Sequence, residues 1–173
     1  MQHQESGAIP KDAQRAFATY GDMVYRLALV KVQGTADAED ITQDVFLRYV
    51  RSAPQTMDAQ HEKAWLIRVA INCSKSHMTS AWRRKTTTLP DEIASPVSVT
   101  AQASDHDDAR MVSDAVRALG DPYRTAIHLF YYEGYHTAEI AQMMSTQDAT
   151  VRSWLHRARG MLRTMITIDD KEW

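Results

Sequence analysis

A single cysteine, Cys73, leaves the chain no partner for an internal disulfide and no multi-cysteine metal site. Cys73 follows an apolar run inside an expected helix, and a buried thiol is its expected state. No apolar run reaches the roughly 18 residues that a membrane span needs. The polar N-terminus has no signal-peptide apolar core, and a reducing cytoplasm is the expected location. Six glycines and five prolines in 173 residues are few, and strictly alternating β-branched runs are missing, which argues against strands. Basic excess is also missing. Net charge is −2, so any nucleic-acid role must rest on local charge. No His-Glu-x-x-His run and no Gly-rich phosphate loop occur, and the seven histidines are scattered. No metal site, cofactor or catalytic constellation is expected, and the chain is not expected to be an enzyme.

What is present is apolar residues recurring at three and four, in a chain that is 44% apolar. This predicts an all-α protein. A first helix is expected from about Lys11 to Gln33, with Phe17, Tyr20, Val24, Leu27 and the stem of Lys31 on one side. Gly34 is expected as its left-handed C-cap. Thr35 or Asp37 is expected to cap a second helix carrying Ile41, Val45, Arg48 and Tyr49. Its first turn holds Asp37, Glu39 and Asp40, favourable at the positive end of the helix dipole. Pro54 closes it. A third helix is expected from near His61 to about Ala81. Trp65, Val69, Cys73 and His77 line one face, with Leu66 and Ala70 beside it.

Composition changes at residues 86–107, which hold four acids, no Lys or Arg, two prolines and no periodicity. A structureless stretch of this length suits a flexible linker between two small helical domains, 1–85 and 108–173. In the second domain Met111, Val112, Ala115 and Leu119 mark a helix that stops at Gly120. Asp121-Pro122 reads as an N-cap followed by proline at the first helical position. Ile127, Phe130 and Tyr131 carry that helix to Gly134. Thr137 is placed to cap a short helix through Met144. After a turn of about four residues, Asp148 or a neighbour caps the last helix. There Val151, Leu155, Ala158 and Leu162 form one narrow apolar stripe. Ser153, His156 and Arg157 lie opposite, flanked by Arg152 and Arg163. From Thr150 to Arg163 there are four arginines and no acid. A short helix, a turn and a helix with one buried and one basic face is a helix-turn-helix arrangement. A solvated arginine face on an ordinary core helix is the alternative.

Two further surfaces carry signal. Asp37, Glu39, Asp40 and Asp44 make an acidic patch, either a solvated or partner-facing surface or a metal site. Between His61 and Lys85 six Lys/Arg face one acid, Glu62, and Trp65 and Trp82 are interleaved with them. Flat rings can stack on unpaired bases while cations meet phosphates. For Trp65 a core or wall position is expected, and for Arg83-Arg84-Lys85 phosphate contact. Alternative functions on the residues alone are a repressor or activator using only the C-terminal motif, and a helical enzyme with an acidic metal site.

Three segments together resemble the extracytoplasmic-function sigma factors of the sigma-70 superfamily. They are Ala38-Glu39-Asp40-Ile41-Thr42-Gln43-Asp44-Val45-Phe46-Leu47, Ala64-Trp65-Leu66-Ile67-Arg68-Val69-Ala70-Ile71-Asn72, and Glu139-Ile140-Ala141 followed by Thr150-Val151-Arg152-Ser153 and Leu155-His156-Arg157-Ala158-Arg159. The resemblance implies a dissociable promoter-specificity subunit of bacterial RNA polymerase. Asp40, Gln43, Asp44 and Phe46 fall in the segment that would bind the β′ clamp helices. Asn72, Ser76, His77, Ser80, Trp82, Arg83, Arg84 and Lys85 fall where the −10 strand would be melted and read. Ser76 and Thr79 stand where many members carry Asp and Arg. Thr150, Arg152, Ser153, His156 and Arg157 fall at the −35 contacts, and the second domain would also touch the β flap. Partners implied are core polymerase, promoter DNA and an anti-sigma factor.

Overall fold

The structure, a computed structural model, describes residues 10–54, 57–87 and 107–169. Helices α1 (Lys11–Val32), α2 (Thr35–Ser52) and α3 (Ala59–Thr87) pack mutually into a first unit. Val24, Leu27, Ala28, Ile41, Val45, Leu66, Ile67, Ala70 and Ile71 are completely buried between them. Each fully buried branched side chain contributes about 1.5–3 kcal/mol relative to exposure. Helix α2 shows why the sequence folds here, since Ala38, Ile41, Thr42, Val45, Phe46 and Tyr49 all turn inward at three-and-four spacing.

Several expectations need correction. Phe17 is more exposed than buried, touching the core only through an edge contact with the Phe46 ring. Gln33, not Gly34, takes the left-handed conformation that ends α1, at φ 60°, with its N–H on the Leu29 carbonyl at 2.8 Å. Gly34 is extended and serves as the N-cap of α2, so neither Thr35 nor Asp37 caps that helix. In α3 the buried stripe is Leu66, Ile67, Ala70, Ile71, Cys73 and Ser74, while Trp65 and Val69 are half-buried at its margin. Helix α3 also runs past Ala81 to Thr87, because no glycine or proline interrupts it there.

The second unit comprises α4 (Asp107–Ala118), α5 (Tyr123–Ile127), a π-helical turn (His128–Tyr132), α6 (Thr137–Met143) and α7 (Asp148–Asp169). Helix α7 packs across α4, α5 and α6. Leu119, Leu129, Ile140, Val151, Leu155 and Ala158 form the core. Gly134 follows the π-helical turn at φ 73°, a conformation that an L side chain rarely adopts. Two expected caps differ. Pro122 rather than Asp121 stands at the N-cap of α5, and His136 rather than Thr137 precedes α6, its N–H held by Glu139 Oε2 at 2.8 Å. Asp121 instead faces the first unit, where it meets Lys31 Nζ at 2.6 Å. Lys31 is therefore buried through its ammonium, not only along its stem.

Candidate nucleic-acid interface

Helix α6, a turn at Met144–Gln147 and α7 make the helix-turn-helix. The turn is closed by Thr146 N–H on the Ala141 carbonyl at 2.9 Å, with Ser145 at φ 54°. Val151, Leu155 and Ala158 anchor α7 in the core, and Leu162 continues the stripe half-buried. That register leaves Arg152, Ser153, His156 and Arg157 exposed together, with Thr150 half-buried at the start. Arg152 pairs with Asp148 one turn earlier, Nη2 to Oδ2 at 2.8 Å. Sequence reasoning missed Tyr131, an exposed ring on the π-helical turn whose hydroxyl accepts from Arg159 Nε at 3.0 Å. The contact spans 28 residues, and no local spacing announces it.

On α3, Asn72, Ser76 and Ser80 are exposed at intervals of four, with Arg68, Lys75 and Thr79 on the same flank. His77 does not join them. Its ring is mostly covered, with Nε2 2.9 Å from Asp37 Oδ1 at the start of α2. Trp82, Arg83, Arg84 and Lys85 occupy the last turns of α3, and their side chains lie outside the described residues. Trp65 is a wall residue, edge-on to Tyr49 with ring centroids 5.9 Å apart.

On α2, Asp40, Gln43 and Asp44 are exposed. Phe46 is not, since it is buried against Phe17 and supports the surface from beneath. Leu47 and Val50 take its place outside, about half exposed, in line with Asp40, Gln43 and Asp44. Leu47 follows Asp44 by three residues and Val50 follows Leu47 by three, and that spacing was the available signal. The acidic residues do not converge. Among the described residues no group of three His, Cys, Asp or Glu side chains could hold a metal ion. No described helix is long and apolar enough to cross a membrane.

Residues 16–84 match the family model for sigma-70 region 2, and residues 109–162 match that for sigma-70 region 4. The chain is 31% identical over 163 residues to the ECF RNA polymerase sigma factor SigL of Mycobacterium tuberculosis, covering 91% of this chain and 92% of the relative. The chain belongs to the ECF sigma factor family. A second relative of this ECF sigma factor is the RNA polymerase sigma-E factor of Streptomyces avermitilis, 31% identical over 146 residues, covering 84% of this chain and 79% of that one. Its fold is similar to that of the sigma factor RpoE from Bartonella quintana, solved in complex with the anti-sigma factor NepR (TM-score 0.71, 21% identity, covering 92% of this chain and 99% of that one). CnrH, solved with the cytosolic domain of CnrY, is also similar (TM-score 0.60, 19% identity, covering 91% of this chain and 88% of that one).

Proposed function

We propose that this ECF sigma factor docks on core RNA polymerase through α2, opens and reads the −10 element through α3, and reads the −35 element through α7. The carrying observation is the register of α7, which buries Val151, Leu155 and Ala158 and so presents Arg152, Ser153, His156 and Arg157 on one surface. Arginine paired with a guanine edge discriminates by about 1–3 kcal/mol per good contact. Asp40, Gln43, Asp44, Leu47 and Val50 supply a mixed acidic and apolar face for docking on the β′ clamp helices. Asn72, Ser76 and Ser80 supply a polar face for unpaired bases, with Trp82, Arg83, Arg84 and Lys85 following on the same helix. His77 acts from beneath, tying that helix to α2. The functional divisions are 1–85 for polymerase and −10 contact, 86–107 as linker, and 108–173 for −35 contact and the β flap. The chain supplies specificity and no active site. The near-neutral net charge fits weak binding of free sigma to duplex DNA, with polymerase supplying most of the affinity. The RpoE–NepR assembly supports extending an anti-sigma partner to this chain.

Run-off transcription with purified core polymerase tests the assignment. Initiation from the cognate promoter should require this chain, and the chain should co-elute with core. A chain that binds duplex operator DNA as a dimer and ignores core polymerase would instead be a repressor or activator.

A further inference from the structure

The π-helical turn sets a tyrosine beside the exposed part of α7. It closes with Glu133 N–H on the His128 carbonyl, five residues back, at 3.2 Å. Single π turns of this kind often stand at functional sites. Tyr131 on this turn is 57% exposed, so core packing does not account for its ring. The half-buried Phe130 ring supports it edge-on, with centroids 5.0 Å apart. The Tyr131 hydroxyl accepts Arg159 Nε at 3.0 Å, and Arg159 is exposed as well. Two side chains from different elements thus hold one geometry at the surface.

Tying Nε fixes the plane of the guanidinium and leaves the fork of Nη1 and Nη2 to other partners. Among the described residues no carboxylate pairs with Arg159, whereas Arg152 is paired with Asp148. At about 100° per residue, Arg159 lies about 40° round α7 from buried Leu155 and about 120° from exposed Ser153. It therefore stands on a flank of the helix. Arg152 lies on nearly the same line, about 10 Å nearer the N-terminal end. That end is the one that reaches base edges in a helix-turn-helix. A helix about 10–12 Å across fills a major groove about 12 Å wide, so its flanks meet the phosphate-lined walls. A guanidinium fork matches the oxygens of a phosphate.

We propose that Arg159 is a phosphate anchor on the wall of the −35 groove and that Tyr131 is its positioning residue. Tyr131 holds the guanidinium in place before DNA arrives, so less side-chain freedom is lost on binding. The ligand is one backbone phosphate of duplex promoter DNA. Such a contact fixes the register of α7 in the groove and carries no base preference. That separates it from Arg152, Ser153, His156 and Arg157, whose part is to read bases. The inference rests on the sigma-factor reading for the identity of the duplex.

Salt-dependent promoter binding by the holoenzyme tests this. The probe is a duplex fragment selected by wild-type holoenzyme from a randomised pool, with versions of it substituted in the −35 element. Arg159→Ala should weaken binding about five- to tenfold on all these fragments alike. The slope of log affinity against log salt, between about 50 and 200 mM, should shrink in magnitude by about 0.9, one phosphate's share. Arg159→Lys keeps the charge and should keep the slope. Tyr131→Phe keeps the ring and should lower affinity by a smaller factor, about two- to fivefold. It should add nothing once Arg159→Ala is present. Melting temperatures should match wild type, since both side chains are exposed. Unchanged affinity and slope in Arg159→Ala overturn the anchor, and a loss confined to particular −35 sequences overturns the phosphate assignment. Additive losses in the double variant, or lowered melting temperatures in both single variants, overturn the positioning role of Tyr131. A holoenzyme that selects no promoter defeats the sigma-factor reading and this inference with it. Selective binding that Arg159→Ala leaves unaltered defeats the inference alone.

Discussion

Glu62 of α3 accepts the hydroxyl of Tyr49 of α2 in the buried centre of the first unit. The same carboxylate takes Arg15 of α1 at 2.6 and 3.1 Å, so three helices converge on one side chain. Burial alone would raise the Glu62 pKa, but Arg15, Tyr49 and Tyr20 outweigh it and hold the carboxyl below its ordinary value. Burial, with Glu62 alongside, pushes the Tyr49 hydroxyl up to about 12. Glu62→Ala should cost about 1–3 kcal/mol, because it leaves the covered tyrosine hydroxyl without an acceptor. Glu62→Gln keeps an acceptor and should cost less. Urea unfolding midpoints rank the two variants, and equal midpoints for wild type and Glu62→Ala would refute the convergence as a stabilising feature.

Much of this was legible in the residues and part was not, for a physical reason. Stripes are periodic, so Ile41–Val45–Tyr49 and Val151–Leu155–Ala158 announce both helices and their buried faces. Surface assignments follow by elimination, and Arg152, Ser153, His156 and Arg157 stand where their spacing puts them. Phe46 shows the limit. The motif groups it with Asp40 and Asp44, but its angular position places it inward, and Leu47 carries the apolar contact outside. Long-range polar pairs leave no periodic trace. Lys31 and Asp121 are 90 residues apart, and nothing near either one signals the other. Gln33 taking the left-handed position ahead of Gly34 is likewise decided by how α1 enters α2, not by preference, since propensity favours the glycine.

Glu133 should give the fold an acid-sensitive component. His128, 3.6 Å away, and Lys63 hold its carboxyl at about 2, against an ordinary 4.5, despite burial. A carboxyl depressed on folding stabilises above its unfolded pKa and loses that contribution as pH falls through its folded value. The benefit is therefore full at neutral pH and declines from about 4.5 toward about 2. Glu133→Gln should be less stable than wild type at pH 7, and the difference should shrink as the pH falls through that range. Thermal unfolding across pH 3–7 (about four steps suffice) reads this, and a gap that widens on acidification would reverse the sign.

The α2 surface should govern attachment to polymerase without holding the fold. Asp40→Lys with Asp44→Lys changes two exposed side chains, and exposed substitutions usually shift stability by no more than about 0.5 kcal/mol. Core affinity should nevertheless fall at least about tenfold. Leu47→Ala should cost about 1 kcal/mol or more of binding if that half-exposed side chain enters a pocket on the partner. Titration of labelled core polymerase measures both. Full affinity in the double lysine variant would move the docking surface elsewhere.

Arg157 and Leu155 are two residues apart on α7, and they should fail in different ways. Arg157 is exposed, while Leu155 is 1% exposed and wedged beneath the same surface. On the proposed −35 role, Arg157→Ala removes one base or phosphate contact. It should weaken transcription from the cognate promoter by about 5- to 150-fold, the equivalent of about 1–3 kcal/mol, with core binding and melting temperature intact. Leu155→Ala opens a cavity in the second unit and should cost about 2–5 kcal/mol of stability. Its promoter defect should therefore ease on cooling toward the temperature of maximum stability, whereas the Arg157→Ala defect should persist. Run-off assays at two temperatures, paired with calorimetry, separate the cases. A calorimetric loss in Arg157→Ala as large as in Leu155→Ala would make the arginine a structural residue and remove it from the −35 interface.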